Sequence, residues 1–298
     1  MSSPIVLTSM PELRAWRSNQ THPVHMVPTM GNLHEGHLRL VDAAGEHNTS
    51  ASVVVSIFVN PTQFGPNEDF ERYPRTLAQD VERLRSRGCD AVWAPTVDIM
   101  YPFPAEGRIG VTAPAELADG LCAGDRPGHF DGVVSVVLRL FSQVLPHAAF
   151  FGEKDYQQLQ IIRRLASDLS LMTTIHAVET VRESDGLAMS SRNQYLSAAE
   201  RETAAGLYRV LQEQASTALH ASSAGTLLRL QRSGIEQLQT LGFEPEYFEF
   251  RHAGNLARLP DPDSVHSGPI DPTALRLLAA ARLGSTRLID NVALVRQK

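Results

Sequence analysis

The stretch "VHMVPTMGNLHEGH", Val24 to His37, decides the fold. "VHMVP" reads as a buried strand. A glycine-bearing loop follows, and a helix is expected from about His37 through "LRLVDAAGEH". A strand feeding a helix through such a loop opens a strand–helix–strand unit. The two histidines leave more than one reading open. A zinc helix needs HExxH, which sets two imidazoles one turn apart; here the spacing is one residue short and no third ligand cluster follows. At a helix start, the ring N–H groups of His34 and His37 would join the free backbone amides in an anion site. They could equally do no more than cap the helix.

Working outward, "ASVVVSIFV" (Ala51 to Val59) is rich in β-branched residues and reads as an interior parallel strand. "TLAQDVERLRSRG" predicts a helix with Leu77, Val81 and Leu84 on one face and Gly88 to stop it. "CDAVWAP", "HAAFFG" and "TIHAVETV" read as further strands, alternating with the helical "GVVSVVLRLFSQVLP" and "DYQQLQIIRRLASDL". This rhythm predicts an α/β fold, a Rossmann-like doubly wound parallel sheet with its ligands beyond the carboxyl ends of the strands. Near Glu183 the rhythm changes. "SAAERETAAGLYRVLQEQA" and "TLLRLQRSGIEQLQTLG" predict two helices, and "EPEYFEFRH", "TALRLLAAARL" and "TRLIDNVAL" predict a small sheet. The expected domains are 1–183, Rossmann-like, and 184–298, a smaller α+β domain closing over the active site. "RLPDPDSVHSGPIDP" (Arg258 to Pro272) reads as a proline-rich loop.

Composition narrows the function. The 298 residues carry 27 Lys and Arg against 33 Asp and Glu, a net charge of −6. Long nucleic acids select basic surfaces, so they are poor partners for this chain. The same balance, with no basic aromatic-rich segment, argues against a tRNA-binding synthetase fragment. Cys89 and Cys122 form neither a CxxC pair nor a disulfide framework, and are expected as free thiols in a reducing compartment. The N-terminus lacks the basic-then-apolar pattern of a signal peptide. The longest apolar runs are far short of a membrane span. A cytoplasmic protein with no membrane partner is the expectation.

Further motifs follow in order: "FVNPTQFGPNEDFERYPR" (Phe58 to Arg75), "RPGHF" (Arg126 to Phe130), "FGEKDYQQL" (Phe151 to Leu159), "MSSRNQYL" (Met189 to Leu196) and, near the end, "RLIDNV". With "HEGH" they resemble the pantoate–β-alanine ligase family, within the nucleotidyltransferase superfamily marked by HxGH. The resemblance runs from about Pro28 to Leu196 and is looser beyond. Thr62 stands where many relatives carry methionine, with little consequence expected because Asn60 and Gln63 flank it.

The resemblance implies ATP-dependent condensation of pantoate with β-alanine to pantothenate, AMP and diphosphate, through a pantoyl adenylate, with Mg2+ and in a homodimer. Both first-step reactants are anionic, so the site must supply positive charge and oriented donors. His34, His37, Lys154, Ser190, Ser191 and Arg192 are the catalytic candidates. "MSSRN" is similar to the KMSKS-type loop that closes on phosphates. His37 matches the residue assigned as proton donor, though stabilising charge on phosphorus would suit it as well. ATP binding is implied for Met30, Gly31, Asn32, Leu33, His34, Glu35, Gly36, His37, Gly152, Glu153, Lys154, Asp155, Val181, Met189, Ser190, Ser191 and Arg192. Gln63 and Gln158 match the family's pantoate-binding glutamines, joined by Asn60 as a substrate contact. Arg126, in a turn-rich segment that could lie over the site, is a further candidate substrate contact, catalytic or structural. Asp80 is the candidate magnesium neighbour, an exposed helix aspartate being the alternative; the ion leans on phosphates and leaves little protein signature. Two alternatives remain: another HxGH nucleotidyltransferase acting on a small acid, and a metal-dependent hydrolase using the HExH pair.

Overall fold

The computed structural model describes residues 3–66, 68, 70–221, 223–260 and 270–295. The chain folds as two compact units. The first comprises Met1–Pro114, Arg126–Glu153 and Ile161–Thr180, and the second Ala115–Asp125, Lys154–Gln160 and Val181–Lys298. This division differs from two consecutive spans by giving two short earlier segments to the second unit.

In chain order the elements begin with β1 (Ile5–Leu7), α1 (Met10–Ser18), β2 (Val24–Thr29), α2 (Glu35–His47), β3 (Ser52–Ile57), α3 (Leu77–Arg85), β4 (Ala91–Trp93) and α4 (Val97–Met100). The chain continues with α5 (Leu121–Asp125), α6 (His129–Val144), β5 (Ala148–Gly152), α7 (Tyr156–Asp168) and β6 (Thr174–Val178). The six strands form one parallel sheet in the order β1-β4-β3-β2-β5-β6. Val53, Val54 and Val55 are all buried although successive residues face opposite sides, so both faces of β3 are covered. On one face, α2 lays Leu38, Val41 and Ala44 against Val27, Val53 and Val55. Strand order reverses between β2 and β5, the switch point where doubly wound sheets bind ligands. Met30–His37 follows β2 there, and Glu153 and Lys154 follow β5.

The second unit contains α8 (Ala198–Ala204), α9 (Gly206–Ala218), α10 (Ala224–Thr240), β7 (Glu244–His252), β8 (Leu275–Leu283) and β9 (Thr286–Ala293). Its three strands pair antiparallel in the order β7-β8-β9. Leu207, Leu211 and Leu227 from the helices pack with Phe248, Leu277, Ala279 and Leu288 from the sheet.

Three local expectations change. The single helix expected from Ser197 onward is two, α8 and α9, meeting at Ala205. Leu77 is exposed, while Asp80 joins Leu84 on the buried face of α3; a charge sits there because Thr76 and the loop after β2 offer it donors. The short β1 and α1, too brief for periodicity to show, complete the sheet edge. Residues 261–269 of the proline-rich tract lie outside the described residues.

Candidate functional site

In the first unit the loop after β2 is shaped from beneath by α3. Gly31 takes φ +84° and Asn32 φ +50°, so the chain turns sharply before α2. Asp80, almost wholly buried, accepts from the Asn32 N–H at 3.0 Å, the Leu33 N–H at 2.8 Å and the Thr76 hydroxyl at 3.0 Å. A Cβ at Gly31 would sit 3.1 Å from the Asp80 carboxylate, which explains the glycine. Arg83 donates to the Leu33 carbonyl.

Of the two readings of Asp80, the exposed helix aspartate is corrected: the carboxylate is buried and, serving three donors, anchors the loop. Among the described residues no group of three His, Cys, Asp or Glu side chains could hold a metal ion.

At the start of α2, His34 is the N-cap and its Nδ1 accepts the Gly36 N–H at 3.1 Å. His37 Nδ1 accepts the His34 N–H at 3.3 Å. The rings lie 4.1 Å apart, centroid to centroid, tilted by 41°. Both histidines therefore cap the helix. A neutral imidazole whose Nδ1 accepts carries its proton on Nε2, so the N–H of each ring is on Nε2.

The turn Pro61–Gln63 carries the next candidates. Asn60 is 1% exposed and its amide is fully used. Its oxygen accepts from the Thr62 N–H and hydroxyl (3.3 and 2.9 Å) and from the Tyr101 hydroxyl (2.7 Å). Its nitrogen donates to Gln63 Oε1 (3.0 Å) and the Gly132 carbonyl (3.1 Å). Asn60 thus orients Gln63. That bond leaves the Gln63 amide nitrogen to meet the Met30 sulfur at 3.2 Å. Burial pushes the Tyr101 phenol up, which keeps it protonated as a donor. Thr62, the departure from the family's usual methionine, adds a hydroxyl to this network, 3.1 Å from that of Tyr101.

Arg126 is likewise committed. It forms a bidentate pair with Glu68 (2.6 and 2.5 Å) and donates to the Gln63 carbonyl at 3.3 Å. His129 meets the same carbonyl at 2.8 Å. Burial alone would raise the Glu68 carboxyl, but the bonds from Arg126 outweigh it and hold the group below its ordinary value. Of the two readings of Arg126, the structure supports the structural one: the side chain ties down the backbone of Gln63.

In the second unit, Lys154 lies just after β5 with its ammonium 3.6 Å from Asp155. Gln158 is half-buried, and among the described residues its amide has no hydrogen-bond partner. The adjacent Gln157 is wholly engaged, with the Cys122 N–H and the carbonyls of Leu117 and Gly120. Ser190 caps a single turn by accepting the Arg192 N–H at 3.3 Å, and Ser191 and Arg192 are half-buried beside it. Val181 and Met189 pair across a hairpin that delivers this turn. Both cysteines are buried free thiols. Among the described residues no helix is long and apolar enough to cross a membrane.

Sequence reading missed Thr62 and Tyr101 as partners of Asn60, and the pressure of Gly132 on Thr62 and Gln63. Glycine in the first turn of an otherwise apolar helix was the available signal for the second.

A parallel sheet carrying an HxGH histidine pair on the helix that follows β2, at the switch point, defines the nucleotidyltransferase class of α/β enzyme. The pantoate-beta-alanine ligase family matches residues 5–293. The pantothenate synthetase of Chromohalobacter salexigens is 50% identical over 91% of this chain and 90% of its own length. That of Stutzerimonas stutzeri is 49% identical over 90% and 89%. The crystal structure of the Thermus thermophilus pantothenate synthetase superposes with a TM-score of 0.85, at 41% identity, over 98% of this chain and 100% of that one. The Francisella tularensis ligase, solved in complex with β-γ ATP and β-alanine, gives a TM-score of 0.77 at 31% identity, over 98% of each chain. The chain belongs to the pantoate–β-alanine ligase family. As a member it is an ATP-using ligase that joins pantoate to β-alanine.

Proposed function

We propose that the chain works in two steps, forming pantoyl adenylate and diphosphate first and passing the pantoyl group to β-alanine second. In the first, a pantoate carboxylate oxygen bonds to the α-phosphorus as the bond to diphosphate breaks. Carboxylate attack needs no deprotonation and diphosphate departs as an anion, so no proton transfer is obligatory. Oriented donors are what this step requires. In the second, the amine bonds to the acyl carbon, the bond to AMP breaks, and the amine gives up a proton.

The observation that carries this reading is the pair of imidazoles at the start of α2, each with Nδ1 occupied by a backbone N–H. Such rings donate through Nε2 to developing charge; they suit His37 to stabilising phosphorus rather than delivering a proton. Lys154, Ser190, Ser191 and Arg192 are assigned to the phosphates, with Met30–His37, Gly152, Glu153, Asp155, Val181 and Met189 around the nucleotide. Gln63 and Gln158 are assigned to pantoate. Magnesium is assigned to the nucleotide phosphates, since hard cations of this kind keep waters and lean on phosphate oxygens. A homodimer and a cytoplasmic location complete the proposal; the two free thiols favour a reducing compartment.

The test is pantoate-dependent exchange between ATP and labelled pyrophosphate without β-alanine. Exchange is expected, lost with a chelator and restored by magnesium but not by zinc. No exchange with pantoate, or a product that retains the adenylate after β-alanine is added, would overturn the two-step reading. Velocity sedimentation checks the dimer.

A further inference from the structure

The motif "RLIDNV" lies on β9, which alternates Leu288, Asp290 and Val292 on one face with Ile289, Asn291 and Ala293 on the other. The first row pairs with Ala281, Ala279 and Leu277 of β8 on the face that packs against the helices. Asp290 therefore puts a carboxylate in an apolar row, 4% exposed. A leucine there would match its neighbours at no desolvation cost, and a buried ion pair is weak grounds for stability. The position calls for a reason other than packing.

Asp290 holds Arg182 bidentately, at 2.6 and 2.9 Å. The Arg182 guanidinium lies 3.6 Å from the centroid of the Tyr208 ring and donates to the Gly186 carbonyl at 3.1 Å. Arg182 belongs to the hairpin that ends at Ser190: it bridges to Ala188, and the Met189 N–H donates to the Val181 carbonyl at 2.9 Å. Arg201 braces the hairpin through Glu183 and Asp185 (2.8 and 2.5 Å). Asn193, beyond the loop, returns to Glu183 and to the Ala188 carbonyl.

The next residue faces the other way. Asn291 Nδ2 donates to the main-chain carbonyl of Lys154 at 2.9 Å. The orientation of that amide is set by chemistry, because Arg276 Nε donates to Asn291 Oδ1 at 2.5 Å and a guanidinium cannot accept. Arg276 is itself held over the Tyr156 ring, 3.8 Å from its centroid.

We propose that Asp290 and Asn291 are positioning residues that set the spacing between Lys154 and the Ser190–Arg192 loop. Consecutive strand residues point to opposite faces, so one dipeptide grips the hairpin behind the loop with one side chain and the backbone of the lysine with the other. Neither touches substrate. The proposal rests on the assignment of Lys154 and the loop to the phosphates in the first step.

The discriminating variant is Asn291→Asp. It is nearly isosteric and keeps the Arg276 contact, now as an ion pair, but replaces the donor to the Lys154 carbonyl by an acceptor. Single-turnover formation of pantoyl adenylate is expected to slow by about tenfold or more, since misplacing a catalytic group by about 1 Å costs up to about a hundredfold. Capture of chemically supplied pantoyl adenylate by β-alanine should stay within about twofold, and thermal unfolding should confirm a folded protein. In a Lys154→Ala background, Asn291→Asp should slow adenylate formation by less than about twofold further, because the group it positions is gone. Asp290→Asn should slow the same step and spare β-alanine capture.

Equal losses in both half-reactions, or a full further loss in the Lys154→Ala background, would overturn the proposal and leave Asn291 a purely structural residue. If Lys154→Ala alone formed adenylate at the wild-type rate, the underlying assignment would fall instead, and the single variant would show it. Should Asn291→Asp fail to fold, Asn291→Ser, which can still donate, is compared with Asn291→Ala; equal adenylation rates would refute the role.

Discussion

Gly132 is the fourth residue of α6, where glycine is a poor helix former and alanine would ordinarily gain about 1 kcal/mol. The structure reverses that expectation. A Cβ at Gly132 would strike the carbonyl group of Thr62 and lie 2.7 Å from the Gln63 Cα. Carbon atoms settle at about 3.5–4.0 Å, so helix and turn must part by about 1 Å. These atoms are backbone and cannot swing aside. Overpacking of this kind costs about 1–3 kcal/mol, which leaves Gly132→Ala destabilised by up to about 2 kcal/mol after the helix gain. At this size that is a fall of up to roughly 8 °C in Tm. The control is Gly45→Ala in α2, where an added Cβ meets nothing within 4 Å. There the helix gain stands alone and Tm should rise by roughly 2 °C. Parting helix and turn also strains the Asn60 bond to the Gly132 carbonyl (3.1 Å) and the His129 contact with Gln63 (2.8 Å). The Gln63 amide moves with them. KM for pantoate in the exchange assay should rise by about tenfold or more while KM for ATP stays within about twofold. If Gly132→Ala raised Tm as Gly45→Ala does, the clash would be refuted. If it lowered Tm but left pantoate KM unchanged, the close contact would not place Gln63.

Lys154→Ala and His37→Ala should each slow adenylate formation by on the order of a hundredfold with the fold retained, as expected for losing one donor to developing charge; near-normal single-turnover rates would refute either assignment. Gln63→Glu should lower pantoate-dependent exchange more than Gln63→Met. Asn60 can still donate to a glutamate, but the amide N–H donor is lost and a negative group is added near two anionic substrates; wild-type exchange in Gln63→Glu would remove Gln63 from the first step. A pH effect follows from His25, His47 and His176, whose rings gather around Phe150. Burial, then the nearby imidazoles and for His176 also Arg163, set against a bond from His25 to the Ala44 carbonyl, holds His25 and His176 below their ordinary value of 6.5. Below pH 6.5 the unfolded chain then binds more protons than the folded one, so stability falls as pH drops through 6.5 and levels off below the folded values. Tm measured from pH 7.5 to 5 should fall, and His176→Phe should fall less steeply; parallel curves would refute the cluster's part.

The sequence alone determined the sheet, the switch from a parallel α/β rhythm to a small antiparallel sheet, and the family. Those features are local. Valine runs such as Val53–Val55 need both faces covered wherever they sit, and "HEGH" after a strand carries its helix start with it. It also brought candidate residues to notice, His34, His37, Gln63 and Lys154 among them. It could not say which polar residues were already spent. Asn60, Arg126 and Asp80 look like ligands in the chain because each is a polar or charged group in a motif. Only the tertiary structure brings up the Tyr101 hydroxyl, the Glu68 carboxylate and the Asn32 and Leu33 amides that use their hydrogen-bonding capacity. Partners 41, 58 and 48 residues away leave no periodic trace. The same holds for Asp290, a carboxylate within the strand motif "RLIDNV". It becomes a buried anchor because Arg182, 108 positions earlier, folds back to meet it. Periodicity reports which face of an element is buried; what each buried polar atom meets there is decided by the packing of distant segments.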